Sequence, residues 1–380
     1  MYINFWYPVC LSADLTAAAP VKATILTLPF VAFRDAAGTA HVLSDTCVHR
    51  GGALHKGKVV GDRIACPYHG WQFGGDGRCG HIPSLGADGT IPARAKVDAY
   101  PVIERYGIVF AFLGDVGEAE RIPLLAVPEY GQPGWRAGLV TFEIDAYFER
   151  SIENGLDPVH NEFVHALQGN IKFKPDRMQV TTDEWRTTVY VQMDPPKKGT
   201  TQLEALRDDM DPKNFSASSG HYGANGLITR ISLSKDNQFV QYFFEQPVDE
   251  GRTRIFFLNM RNCMLEEASD ERIRKINLAI ADEDIRVITA LNPVRTPESS
   301  VKEVLVVGDE GIGQYRRHLA EWEGLGWRLD LGALKANAGD IAYAIPCPAR
   351  RTEKNWVLDA APVVGGSAAG RAREAGTEPA

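Results

Sequence analysis

Four residues that can hold metal stand in two short pairs, Cys47 with His49 and Cys66 with His69. Sixteen residues separate the pairs, so folding must bring them together. A C-x-H pair and a C-x-x-H pair fit two tight hairpin tips that clamp one group from opposite sides. Two thiolates and two imidazoles suit either one zinc ion or a [2Fe–2S] cluster with both histidines on one iron. The flanking residues decide between them. Arg50, Gly51 and Gly52 follow the first pair, while Pro67 lies inside the second and Gly70 after it. Loops of that kind turn backbone N–H groups inward, which bridging sulfides need and a lone zinc does not. The reading is an iron–sulfur centre.

A second set occupies residues 153–165, ENGLDPVHNEFVH. His160 and His165 are five apart, about 140° around an unbroken helix, so they share a metal only if the helix ends or distorts between them. Asn154 and Asp157 precede at three-residue steps on the His160 side. Two imidazoles beside a carboxylate are what a mononuclear iron requires. A third ligand must then come from elsewhere, and Asp282, Glu283 and Asp284 lie on an expected helix from Ser269 to Leu291. Its apolar residues Ile273, Ile276, Ile280, Val287, Ile288 and Leu291 form one stripe. Asp284 falls inside that stripe, Glu283 at its margin and Asp282 nearly opposite. A carboxylate on a buried face is costly unless paired or metal-bound, which selects Asp284.

These motifs resemble a known family. C-V-H-R-G followed by C-P-Y-H-G-W resembles the Rieske signature, and N-x-x-D-x-x-H-x4-H with a downstream E-D-x-x-V is similar to the catalytic domain of Rieske non-haem iron oxygenases. The resemblance implies a Rieske [2Fe–2S] cluster on Cys47, His49, Cys66 and His69, and a mononuclear Fe(II) on His160, His165 and Asp284. It implies a terminal oxygenase that uses O2 to hydroxylate or oxidatively demethylate a small aromatic or cyclic substrate, with a monooxygenase favoured over a dioxygenase. It implies also that Asp157 bridges His160 to His49 or His69 of a neighbouring subunit in a homotrimer. The competing reading, a Rieske electron carrier without catalysis, leaves about 240 residues after the cluster domain without a purpose.

Residues 22–113 read as short β-branched and aromatic strands between Gly/Asp turns: Lys22–Leu28, Phe30–Asp35, His41–Asp45, Val59–Ala65, Trp71–Gly75, Ala99–Ile103 and Gly107–Leu113. Met1–Ala19 is expected to pack on them through Phe5, Trp6 and Tyr7. Residues 115–135, rich in Pro, Gly and Glu, read as a linker. Strands follow at Leu139–Tyr147, Phe239–Glu245 and Arg254–Asn259, and a second helix near Gln314–Leu325. Gly308 to Gly313 lacks the spacing of a dinucleotide loop and reads as a turn. The expected class is α+β: an all-β Rieske domain over 1–115, a helix-grip catalytic domain over 116–356 with an antiparallel sheet over a helix, and a disordered tail over 357–380.

Residues 194–226 read as a polar surface insertion, with His221 and Tyr222 as candidate pocket residues. Phe239, Tyr242, Phe243, Phe244, Phe256 and Phe257 could line a pocket on the sheet. A net charge of −8 argues against nucleic acid. The stretch 47–80 nevertheless carries Arg50, Lys56, Lys58, Arg63 and Arg78 against Asp62 and Asp76, a basic collar suited to an acidic electron donor. With no dinucleotide fingerprint, NAD(P)H and flavin belong to a separate reductase, acting directly or through a ferredoxin. Cys10, Cys79, Cys263 and Cys347 lack framework spacing and fit reduced thiols. No signal peptide or membrane span is read, so the expected location is the cytoplasm.

Overall fold

The computed structural model describes residues 1–86, 88–169, 171–192, 216–297 and 300–365. The N-terminal part is all-β and antiparallel. Phe5–Leu11 pairs with Ile108–Leu113, which pairs with Val102–Arg105. Val21–Ile25, Leu28–Arg34, Ala40–Ser44 and Ala99–Tyr100 form a four-stranded sheet. Lys58–Val60, Arg63–Ala65, Gln72–Gly74 and Cys79–His81 form another. The stretch Val59–Ala65, expected as one strand, is a hairpin instead. Gly61 takes φ +63° at its turn, a backbone state open to glycine at little cost. Ala99–Ile103 is likewise divided, at Pro101, which cannot donate to a ladder.

Beyond it, seven antiparallel strands form one sheet in the order Arg136–Ile144, Arg252–Arg261, Gln238–Asp249, Gly226–Ser232, Ser216–Tyr222, Arg186–Gln192 and Met178–Thr182. Five helices accompany it among the described residues: α1 (Phe148–Leu156), α2 (Asn161–Val164), α3 (Asp270–Ile288), α4 (Glu310–Gly324) and α5 (Leu331–Ala336). This is the α+β architecture expected. Alternation along the long central strands splits the aromatic residues between two faces. Tyr242, Phe244 and Phe256 pack with Phe110, Ile108 and Tyr106 of the N-terminal part. Phe239, Phe243 and Phe257 turn the other way, into a cavity beneath α3. Each ring buried on the first face contributes about 1.5–3 kcal/mol, which fixes the sheet against the cluster-bearing part.

The expected linker is not loose. Ile122, Leu124, Leu125 and Val127 are buried, the last three in the same interface as Phe110 and Phe244. The turn expected from Gly308 to Gly313 includes the start of α4 at Glu310. Gly311 lets that helix approach closely, since a Cβ there would lie 2.4 Å from Val189 and 3.2 Å from the Leu156 carbonyl. The expected surface insertion ends in a strand, Ser216–Tyr222; residues 193–215 lie outside the described residues. The tail expected to lack structure from Val357 includes Asp359–Ala360, which pairs with Tyr343–Ala344. Residues 366–380 lie outside the described residues.

Candidate functional site

The two cluster loops are built alike. The Cys47 N–H donates to the Gly52 carbonyl at 2.9 Å, and the Gly51 N–H donates back to the Cys47 carbonyl at 2.9 Å. In the second loop the Cys66 N–H donates to the Trp71 carbonyl at 2.8 Å and the Gly70 N–H to the Cys66 carbonyl at 3.0 Å. Gly51 and Gly70, each four residues after its cysteine, both adopt the left-handed conformation, at φ +69° and +72°. Asp45 closes the base of the first loop: its carboxylate accepts from the His55 N–H at 2.7 Å and its carbonyl from the Leu54 N–H at 2.8 Å.

The loops bring Cys47, His49, Cys66 and His69 together. Both thiols are buried and both imidazoles exposed, with ring centroids 4.5 Å apart and Trp71 stacked on His49 at 4.6 Å. A Cβ on Gly52 would lie 2.9 Å from the Cys66 sulfur, so the cradle has room only for glycine. Burial, with Cys66 close by, pushes the Cys47 thiol up to about 12, so a thiolate there needs a compensating cation. A tetrahedral zinc would draw its ligand atoms to about 3.3–3.8 Å of one another. Among the described residues the only three metal-binding side chains with donor atoms within 4.8 Å of one another lie elsewhere. The four residues fit a two-iron cluster better than a single ion. Of the basic collar, Arg50, Lys56 and Lys58 are exposed, whereas Arg78 is held by Glu353 at 2.6 Å.

The second set lies where α1 ends. Pro158 disfavours helix at the residue before it, and Asp157 accordingly leaves α1 at φ −87°, ψ 112°. Its Oδ1 accepts from the Val159 N–H at 2.7 Å. His160 and His165 then flank the single turn of α2, and His165 departs at φ −93°, ψ 72°. The helix thus ends at His165, which frees its imidazole from the 140° offset that an unbroken helix would impose. His160 Nε2 lies 3.1 Å from His165 Nε2, and Asp284 Oδ1 lies 3.4 and 3.3 Å from these two atoms.

Protons identify what this triangle needs. His160 Nδ1 faces the Asp157 carbonyl at 2.5 Å, and a carbonyl can only accept, so Nδ1 carries the hydrogen. His165 Nδ1 donates to Glu283 Oε2 at 3.1 Å. Burial holds His160 toward its neutral form, opposed by the Asp284 carboxylate. Two Nε2 lone pairs and a carboxylate oxygen therefore converge with no proton between them, an arrangement that calls for a cation. Ligand bonds of about 2.1 Å meeting at right angles would space donors about 3.0 Å apart, close to the spacing seen. The residues fit a metal held on one face, with positions open on the other.

Neighbouring side chains orient the donors. Asn154 Nδ2 donates to Asp284 Oδ1 at 3.0 Å, and Glu283 Oε1 accepts from the Leu167 N–H at 3.1 Å. Glu283 had only a marginal place in the stripe pattern; it lies about 100° around the helix from Asp284 and so meets the back of His165. Asp282 is exposed and pairs with Arg286. The stripe itself is shifted: Val287 and Leu291 are exposed, Leu291 lies beyond the end of α3, and Ile285 takes a cavity position instead.

The triangle opens into a cavity of about 210 Å³ lined by Phe142, Phe239, Phe243, Phe257, Ile280 and Ile288 among others. His221 and Tyr222 are not part of it. His221 is fully buried, donates to the Gly223 carbonyl at 3.0 Å and faces His318; the Tyr222 hydroxyl donates to the Pro123 carbonyl at 3.0 Å. A cluster cradle joined to a facial set of two imidazoles and one carboxylate defines a two-centre iron oxygenase.

Residues 5–101 match the Rieske [2Fe-2S] domain, and residues 144–324 match the vanillate O-demethylase oxygenase C-terminal domain. The methylxanthine N1-demethylase NdmA of Pseudomonas putida is 29% identical over 84% of this chain and 88% of its own. The toluene-4-sulfonate monooxygenase iron-sulfur subunit TsaM1 of Comamonas testosteroni is 26% identical over 89% and 99%. The structure of P. putida NdmA with caffeine superposes with a TM-score of 0.71 at 26% identity, over 84% of this chain and 90% of that one. The chain belongs to the Rieske non-haem iron oxygenases, as an oxygenase component with a Rieske cluster and a mononuclear iron rather than an electron carrier alone.

Proposed function

We propose that this chain is a monooxygenase that hydroxylates or oxidatively demethylates a small aromatic or cyclic substrate. The observation that carries the reading is the His160, His165 and Asp284 triangle at the wall of an aromatic-lined cavity. The relatives named for methylxanthine and toluene-4-sulfonate support a ring-sized substrate. When bound, the iron would supply the oxidising chemistry with O2, and the cluster the capacity to carry electrons.

The chain's own groups do the rest. Glu283 and the Asp157 carbonyl hold the two imidazoles in the tautomer that leaves each Nε2 free. Asn154 fixes the Asp284 carboxylate, and the apolar walls exclude water. Cys47, His49, Cys66 and His69 would hold the cluster, and both imidazoles are exposed in the single chain, open to a neighbouring subunit. The electron donor is a separate NAD(P)H-dependent reductase, acting directly or through a ferredoxin.

The functional unit in this reading is a cytoplasmic homotrimer in which the Asp157 carboxylate links His160 to His49 or His69 of the neighbouring subunit. Its domains run over 1–115 and 116–356. Asp157 Oδ2 lies 4.0 Å from His160 Nδ1 and the side chain is only half-buried, which leaves that oxygen available to a partner. No helix among the described residues is long and apolar enough to cross a membrane.

Iron counting tests the site. The purified protein is expected to hold about three irons per chain, two in the cluster and one mononuclear. Asp284→Ala is expected to lose the mononuclear iron and all turnover while keeping the cluster's colour, whereas Asp282→Ala changes neither. An Asp284→Ala variant that retains its third iron and turns over substrate would sink the assignment.

A further inference from the structure

One row of uncharged polar residues crosses the cavity face of the sheet at a single level. Ser219 pairs with Thr229, Thr229 with Gln241, and Gln241 with Asn259, each directly across from the next. Directly paired residues share a face. On the cavity wall the levels on either side are apolar, Leu227, Phe243 and Phe257 on one and Ile231 and Phe239 on the other, with His221 and Arg261 only at their far ends, outside the cavity lining. Ser219 and Thr229 satisfy each other at 3.2 Å. The remaining two do not.

Gln241 meets Asn277 of α3 at 3.4 Å, one amide donating to the other. Whichever way the two amides are turned, one carbonyl and one NH2 group remain without a partner among the described residues, and both residues line the cavity. Behind them Asn259 is only 2% exposed, and neither atom of its amide has a hydrogen-bond partner. Gln241 and Asn277 are half-buried, so their spare carbonyl and NH2 stay open to whatever fills the cavity, while the unpaired Asn259 amide beside them is costly where it stands. Polar groups so placed in a largely apolar wall point to a ligand with matching donors and acceptors.

The cavity's charge narrows that ligand. Among the described lining residues there is no Lys or Arg, while Asp157 and Asp284 are both present. Away from the iron corner, an anionic group would lose its hydration with no cationic side chain among the described lining residues to meet it. Asn277 and Asp284 are seven residues apart on α3, about 20° short of two full turns and about 10 Å along the axis. They therefore occupy one stripe, and the small side chain of Ala281 lies between them. A flat ring fits over Ala281, with one end at the iron corner and the other at the amide corner.

We propose that Gln241 and Asn277, backed by Asn259, form the specificity subsite of this oxygenase. They select a neutral cyclic substrate that carries a hydroxyl, or a carbonyl beside an N–H, at the end remote from the oxidised carbon. The inference rests on the cavity being the substrate site proposed above. It names the substrate's charge and its recognised group, which that reading leaves open.

The test uses the iron-loaded protein and four ligands on one scaffold: 2-naphthol, 2-naphthamide, 2-naphthoate and naphthalene, with binding measured by calorimetry. The naphthol and the naphthamide are expected to bind at least about tenfold more tightly than naphthalene, and naphthoate more weakly than both. Gln241→Leu and Asn277→Leu are expected to abolish the preference over naphthalene, with mononuclear iron content unchanged. Naphthoate binding as tightly as the naphthamide, a preference that survives both substitutions, or no binding of either neutral polar ligand would overturn the subsite. Ala281→Phe, which places a ring in the cavity, separates the two readings. If it leaves binding of all four untouched, the cavity is not the substrate site. If it blocks all four while the Leu variants change nothing, only the amide subsite fails.

Discussion

Glu283 and Asp284 are adjacent carboxylates with divided tasks, and the 3.1 Å contact between Glu283 Oε2 and His165 Nδ1 shows the division. Asp284 points its Oδ1 at both imidazole Nε2 atoms, whereas Glu283 grips the back of one imidazole and the Leu167 N–H that follows it. The carboxylate that looked marginal by pattern is thus the one that orients a donor. Glu283→Gln keeps the shape but offers one acceptor for two donors. It is expected to weaken mononuclear iron binding by roughly 10–100-fold and leave the cluster absorbance intact. Chelator competition followed by iron analysis measures it; unchanged affinity would remove Glu283 from the site.

Gly52 predicts a complementary lesion at the other centre. A methyl group there would lie 2.9 Å from the Cys66 sulfur, so Gly52→Ala is expected to lower cluster content and visible absorbance while sparing the mononuclear iron. Gly61→Ala is the control. It strains a turn at φ +63° in open space, at a cost of about 1–2 kcal/mol, and should keep a full cluster. Equal cluster loading in both variants would contradict the cradle.

Asp157→Asn retains an acceptor for the Val159 N–H and the carbonyl that fixes His160. Both metal sites should therefore fill normally, and electron transfer from cluster to iron should slow, as read in a single turnover of the reduced protein. A wild-type rate would leave Asp157 as a turn-former only.

Glu245 carries a pH signature. It is fully buried, its Oε1 accepts from the Ser151 hydroxyl at 2.6 Å, its Oε2 has no partner, and burial raises its pKa to about 8. In the unfolded chain the group ionises near pH 4.3. Between those values the folded state binds the extra proton, so stability falls as pH rises from about 4.5 to about 8 and then levels off. Glu245→Gln removes that slope. Its Tm is expected to exceed wild type at pH 8 and match it near pH 4.5 by calorimetry; equal shifts at both pH values would refute the assignment.

The sequence alone named the candidate ligands, because residue identity and turn chemistry are local. Cys47, His49, Cys66 and His69 carry their own glycine turns, and the five-residue step from His160 to His165 calls for a helix end, which the chain makes at His165. Asp284 could be picked from three neighbouring acids because a helix repeats every 3.6 residues. The sequence offered Phe239, Tyr242, Phe243 and Phe244 alike as pocket residues, since which of them face it depends on which face of the sheet α3 covers. The tertiary structure alone decided the Glu283 contact to His165, the burial of Leu124 and Leu125 against Phe244, and the alignment of Gln241 with Asn259. Each of these joins residues distant in the chain, and a one-residue slip in register or a small rotation of α3 would undo it. Short-range pattern fixes which groups can react; sheet register and helix rotation fix what they meet.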